Sequence, residues 1–103
     1  MVRVFIERQF RKSDMVKAEN LLIELREQAL RTRGYISGET LVSVDDQTLL
    51  LTISTWADEV SWKAWVSSDK RREIMRKLEP LMVSPEKVSI FRIVSGGASQ
   101  SAT

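Results

Sequence analysis

A chain of 103 residues suits one domain rather than two, and with 43% hydrophobic and 29% charged residues it does not have the composition of a disordered tract. Lys and Arg number 16 against 14 Asp and Glu, and a net charge of +2 is too small to imply a nucleic-acid partner. There is no cysteine and no histidine, which excludes disulfides, thiolate metal sites, thiol nucleophiles, imidazole bases and imidazole haem ligands, so acid–base chemistry falls to Asp, Glu, Lys, Tyr or a bound ligand.

Residues 1–10 alternate charge and apolarity, without the apolar stretch of a signal peptide. No run approaches the ~20 apolar residues that span a bilayer, so the expected compartment is the cytoplasm. Residues 2–8 read as a strand, with Val2, Val4 and Ile6 on one face and Arg3, Phe5 and Glu7 on the other. Ser13 offers an N-cap. Met15, Ala18, Leu22, Leu25 and Ala29 then recur at helical spacing, with Glu27 and Arg31 placed as an i,i+4 pair on the wet side. Gly34 is expected to end that helix in a left-handed cap.

Residues 35–44 and 48–55 are β-rich and joined by Asp45-Asp46-Gln47. A helix follows over about 58–66, starting at Asp58. Ser67 and Ser68 break it and can cap a second piece, 69–79; Ile74, Leu78 and Leu81 carry the apolar stripe there, and Pro80 marks its end. Residues 86–94 form a last strand. The domain is expected over 1–94, and the Gly/Ser/Ala-rich 95–103 as a mobile tail.

The order β-α-β-β-α-β is the ferredoxin-like split arrangement, an α+β fold with a four-stranded antiparallel sheet and its helices on one face. A sheet wetted on its other face should alternate apolar and polar residues. Leu49-Leu50-Leu51 and Ile90-Phe91-Arg92-Ile93 do not, and Phe5 adds to the same face. Exposing such side chains costs roughly 1.5–3 kcal/mol each, and no segment is long enough to cover them. A second copy is the simplest cover, so a homodimer is expected.

Residues 55–69, Thr-Trp-Ala-Asp-Glu-Val-Ser-Trp-Lys-Ala-Trp-Val-Ser-Ser-Asp, together with Gly34-Tyr35, resemble the signature of the antibiotic biosynthesis monooxygenase-like superfamily of dimeric α+β barrels. The resemblance covers about residues 2–94. Locally the pattern is similar to that of the Isd-type haem-degrading monooxygenases, which use an Asn on the first strand, a Trp in this helix and a His ten residues later. The Trp matches Trp65, but the Asn position falls on Glu7 and the His position on Met75. The resemblance therefore implies the fold and a pocket between sheet and helices, and it argues against haem degradation.

It also places Trp65 in the pocket, as a flat wall with one N–H donor. Glu7 is either a substrate-contacting carboxylate or general base, or a cross-strand ion pair. Phe5, Tyr35, Trp62, Met75 and Arg92 are the candidates for substrate binding, with Trp62 also readable as core and Met75 as pocket wall or core. Trp56, at a strand-to-helix corner, reads as an anchor. Lys70, Arg71, Arg72, Arg76 and Lys77 read as a solvated face, with an anion-attracting rim as the alternative.

Two functions follow from this reading. One is cofactor-independent oxygenation of a planar or polycyclic aromatic small molecule, which suits a chain without His or Cys and which the resemblance implies. The other is non-catalytic binding of such a molecule by a homodimer of the same fold. An RNA-recognition role would need stacking aromatics and basic residues on the third strand, and Leu49-Leu50-Leu51-Thr52-Ile53 supplies neither.

Overall fold

The structure, a computed structural model, describes residues 1–96. The strands are β1 (Val2–Gln9), β2 (Tyr35–Val42), β3 (Leu49–Trp56) and β4 (Lys87–Arg92), and the helices are α1 (Met15–Leu30), α2 (Glu59–Val66) and α3 (Asp69–Leu78). Short 3-10 turns at Lys12–Asp14 and Glu79–Leu81 flank α1 and α3. The strands form one antiparallel sheet in the order β2-β3-β1-β4, which is the ferredoxin-like arrangement expected from the element order. Among the described residues, no helix is long and apolar enough to cross a membrane. The expected tail lies outside the described residues beyond Gly96.

Strand alternation sets the two faces. Val2, Val4, Ile6 and Arg8 of β1 are buried under the helices, while Arg3, Phe5 and Glu7 point to the other side. Ala18, Leu21, Leu22, Leu25 and Ala29 of α1 and Ile74, Met75 and Leu78 of α3 complete the core. The helix layer does not extend over β4, every residue of which is exposed. Val88 and Ile90 lie opposite Ile6 and Val4 and so share the helix-side face, yet they remain 44% and 40% exposed at the sheet edge.

The bare face carries Phe5, Leu51, Ile53 and Phe91. The rings of Phe5 and Phe91 meet edge to face with centroids 5.4 Å apart, and Phe91 is 59% exposed.

Several local features differ from the sequence expectation. Ser13 is not the N-cap of α1. It lies inside the 3-10 turn, where Asp14 N–H donates to Arg11 O at 2.9 Å, so the backbone itself satisfies the helix entry. Arg31 is the C-cap, outside the last turn, and the expected pair with Glu27 is absent among the described ion pairs. Gly34 comes after that cap rather than forming it. Its φ of +90° and its close approach to Ser61, whose Oγ and Cβ an added Cβ would overlap, make it the point where the α1–β2 turn packs on α2. Ala57 N–H donates to Gly34 O at 2.7 Å across the same junction.

The β2–β3 connection spans 43–48, longer than expected. The Ser43 hydroxyl accepts from Asp45 and Asp46 N–H, and Asp46 Oδ1 accepts from Thr48 N–H at 3.0 Å. Side chains thus stand in for the missing glycine. The caps of the second helical region are as expected: Asp58 accepts from Ser61 N–H at 2.7 Å and Ser68 from Arg71 N–H at 3.3 Å. The last strand is Lys87–Arg92 rather than 86–94, because its ladder with β1 runs only from the Val2–Arg92 pair to the Glu7–Lys87 pair.

Candidate functional site

A cleft opens between the sheet and the helices. Its floor is Ile6 and Arg8 of β1 with Thr52 and Ser54 of β3, and Leu22 and Leu25 of α1 face them. The closed part holds about 50 Å³. It shares Leu22, Arg26, Gly38, Glu39 and Thr40 with an open groove of about 790 Å³ between α1 and β2. Arg26 Nη2 donates to Gly38 O at 3.3 Å and ties α1 to β2 where the two spaces adjoin. The groove, which lies outside the aromatic residues, Arg8 and Arg71, is within the range of ~300–1,000 Å³ usual for small-molecule sites.

One wall is aromatic. Trp56 ends β3 and is fully buried, with its indole N–H donating to Ser54 Oγ at 3.0 Å. Tyr35 packs edge-on against it at 5.3 Å, Trp62 at 5.7 Å, and Trp65 lies nearly parallel at 6.4 Å and 26°. All four line the cleft. The cluster forms because the Trp-bearing α2 starts directly after β3, at the Asp58 cap, and buries Trp62 and Trp65 together, three positions apart.

The other wall is cationic. Arg8 is 2% exposed and Arg71 8%, and both line the cleft. Glu86 joins them. Arg8 Nε donates to Glu86 Oε1 at 2.8 Å and Arg71 Nη2 to Oε2 at 3.3 Å. Arg8 Nη1 also donates to Thr52 Oγ1 at 3.3 Å. The Arg71 guanidinium lies 5.7 Å from the Trp62 ring centre, so the cationic and aromatic walls touch. Burial pushes the Arg8 guanidinium below its ordinary value, while Glu86 acts to restore it and Arg71 adds to the lowering. An arginine starts high enough to stay charged at neutral pH all the same.

Of the residues singled out from the sequence, Tyr35, Trp62 and Trp65 come together in this cleft. The other four do not join them. Met75 is buried in the core under α3 and is not part of the lining. Glu7 and Phe5 project from the opposite face of the sheet. Glu7 lies 3.9 Å from Lys87 of β4 as a largely solvated cross-strand pair. Phe5 and Arg92 instead border an open depression beside Phe91.

The charged residue that β1 sends into the cleft is Arg8, next door to Glu7. A shift of one residue along a strand exchanges its faces. Arg71 is likewise not part of the solvated face, because it falls three before Ile74 and seven before Leu78, on the buried stripe of α3. Both arginines had a visible signal in the sequence, a charge at a position whose periodicity is apolar. Glu86 had none. Among the described residues no three His, Cys, Asp or Glu side chains gather to hold a metal ion.

The family model for the antibiotic biosynthesis monooxygenases matches residues 1–77. The chain belongs to that family. Solved structures share its fold. A conserved protein from Methanosarcina mazei Go1 is 24% identical, with 88% of this chain and 90% of that one covered and a TM-score of 0.84. A protein from Mycobacterium tuberculosis is 14% identical over 94% and 98% of the two chains, with a TM-score of 0.86. SnoaB, a cofactor-independent oxygenase from Streptomyces nogalater, is 14% identical over 92% and 95%, with a TM-score of 0.81. At these identities the likeness concerns the fold. No curated protein matches the chain. The match to the family ends inside α3, so Leu78, Glu86 and β4 lie beyond it.

Proposed function

We propose that this chain is a monooxygenase acting without a cofactor on a planar aromatic small molecule, and that it works as a homodimer. The observation that carries the reading is the wall of Tyr35, Trp56, Trp62 and Trp65 along a cleft of the antibiotic biosynthesis monooxygenase fold. SnoaB, a cofactor-independent oxygenase, shares that fold and supports the choice of reaction class.

In such a reaction the substrate is its own reductant. A ring methylene loses a proton, and the resulting carbanion passes electrons to O₂. The peroxide that forms then collapses. One oxygen atom stays on the carbon as a carbonyl, the other leaves as water, and both C–H bonds are consumed. The protein's part is to hold the ring, exclude water and stabilise the anion. Under this proposal Trp65 is a substrate wall, not a proton carrier. Glu7 and Phe5 belong to the contact between two sheets, where the second copy covers Phe91, Leu51 and Ile53.

A second reading, non-catalytic binding on the same scaffold, is favoured by one observation. Glu86, the carboxylate attached to the cleft arginines, has both of its oxygens engaged by them. One experiment separates the readings: titration of the tryptophan fluorescence with a panel of polycyclic phenols, with oxygen uptake followed in the same samples and no metal or flavin added. Quenching with oxygen consumption is the expected result. Quenching without it leaves the binding protein, and no quenching removes both.

A further inference from the structure

Arg8, Arg71 and Glu86 do more than tie β1 to α3. Two guanidinium groups share one carboxylate, so the cluster carries one positive charge in excess, on the wall of the cleft. An ion cluster serving only as a brace is cheapest when its charges cancel, because an uncompensated buried cation carries a large desolvation cost. Here two further nitrogens, Arg8 Nη2 and Arg71 Nε, are buried without a hydrogen-bond partner. Thr52 and Glu86 occupy other atoms of Arg8, and Thr52 Oγ1 is itself paired with Thr40 Oγ1 at 3.1 Å. The same wall therefore holds one spare positive charge and two unused donors, and the Trp62 ring beside Arg71 continues into the aromatic cluster.

From this arrangement we infer that the cleft takes an aromatic ligand with an anionic oxygen, seated on Arg8 and Arg71 while its rings lie against the tryptophans. Phenolate, enolate and carboxylate share the chemistry required. Charge-assisted hydrogen bonds from guanidinium to such an oxygen are among the strong ones, and they are stronger still where water is excluded. The inference rests on the aromatic reading of the cleft and refines it. Two arginines also lower the pKa of a bound acidic substrate and favour its anion.

The test uses the intact protein and a matched pair of probes, naphthoate and the neutral, isosteric naphthamide, titrated at neutral pH by tryptophan quenching. Naphthoate is expected to bind at least about tenfold tighter, the value of one charge-assisted bond over a neutral one. Equal affinities overturn the anionic site and leave the aromatic cleft standing. If neither probe binds, both readings fall. Arg71→Gln is expected to remove the preference, and a preference that survives intact in a folded Arg71→Gln protein places charge recognition elsewhere. Glu86→Gln frees both arginines from their carboxylate, so it should tighten naphthoate by about tenfold and leave naphthamide unchanged. Unchanged or weaker naphthoate binding in that variant assigns the arginines to the brace alone and overturns the site. A fluorescent-dye-free comparison of an ionised nitronaphthol with naphthoate then tells a phenolate preference from a carboxylate one.

Discussion

Arg8 Nε donates to Glu86 Oε1 at 2.8 Å, joining residues 78 positions apart and pinning the segment before β4 to the middle of the sheet. Arg71 reaches the other carboxylate oxygen from α3, so a single glutamate holds a strand and a helix together. Removing it strands two buried cations. Glu86→Ala is expected to lower stability by about 3–5 kcal/mol, whereas replacing all three members with apolar residues (Arg8→Met, Arg71→Met, Glu86→Leu) should recover most of that loss. Urea unfolding of the single and triple variants checks this. A single variant as stable as the parent would mean that Glu86 leaves the two charges no worse placed than water does.

Trp65 is 4% exposed and stacked on Trp56, so it is structural as well as part of the cleft wall. Trp65→Ala should cost about 3–5 kcal/mol. The two roles separate in Trp65→Phe, which keeps an aromatic side chain in the core. That variant should retain its near-UV and far-UV spectra while losing affinity for polycyclic phenols by about tenfold, roughly the value of one aromatic contact. Unaltered affinity in the folded variant would make Trp65 purely core.

Gly34 permits two things at once: a left-handed backbone and the approach of Ser61. In Gly34→Ala the backbone contributes about 1–2 kcal/mol of destabilisation and the overlap about 1–3 kcal/mol more. Ser61→Gly should relieve the second part and not the first. Thermal melts of the two single variants and the double variant give the split, and strict additivity would show that the overlap relaxes freely.

Phe91 stands exposed on the bare face of the sheet, edge-on to Phe5. If a second copy covers this face, Phe91→Glu buries a carboxylate in the contact and should weaken the dimer by about a hundredfold or more, while leaving the protomer folded. Light scattering across a dilution series measures it. A dimer mass unchanged by the substitution would place the contact on another surface, and β4, with Val88 and Ile90 exposed on its helix side, would be the next to examine.

Asp46 and Asp58 contribute to the acid limb of stability. Hydrogen bonds from Thr48 to Asp46 and from Ser61 to Asp58 hold both carboxyls below the ordinary carboxylate value. A carboxyl depressed in the folded state contributes in full above its unfolded pKa, near ~3.9, and the contribution is lost as the pH falls through the folded value. The melting temperature should therefore decline as the pH drops below about 4. Asp58→Asn keeps a good cap without the charge, and with Asp46→Asn it should flatten that decline. A limb as steep as the parent's would assign the acid sensitivity to other carboxyls.

Much of the fold is legible in the sequence because local rules act on neighbouring residues. Period-two alternation placed Val2, Val4 and Ile6 on the core face, helical spacing placed Ala18, Leu22 and Leu25, and Asp58 and Ser68 cap α2 and α3 as expected. The aromatic part of the cleft was legible for the same reason. Trp62 and Trp65 share a helix face, and Tyr35 opens the strand that pairs with the one ending in Trp56.

What the sequence by itself determined was the order of the elements, their buried faces and the apolar character of the sheet's bare side, all set by spacing along a single segment. Only the tertiary structure decided which charges meet. Arg8 and Arg71 occupy apolar positions of their own elements, and nothing local says what receives them. That depends on Glu86, whose side chain is brought between β1 and α3 by the path of the chain into β4. The strand register likewise gave the cleft to Arg8 and the opposite face to Glu7, because adjacent residues of a strand point to opposite sides and a neighbour in sequence is not a neighbour in space.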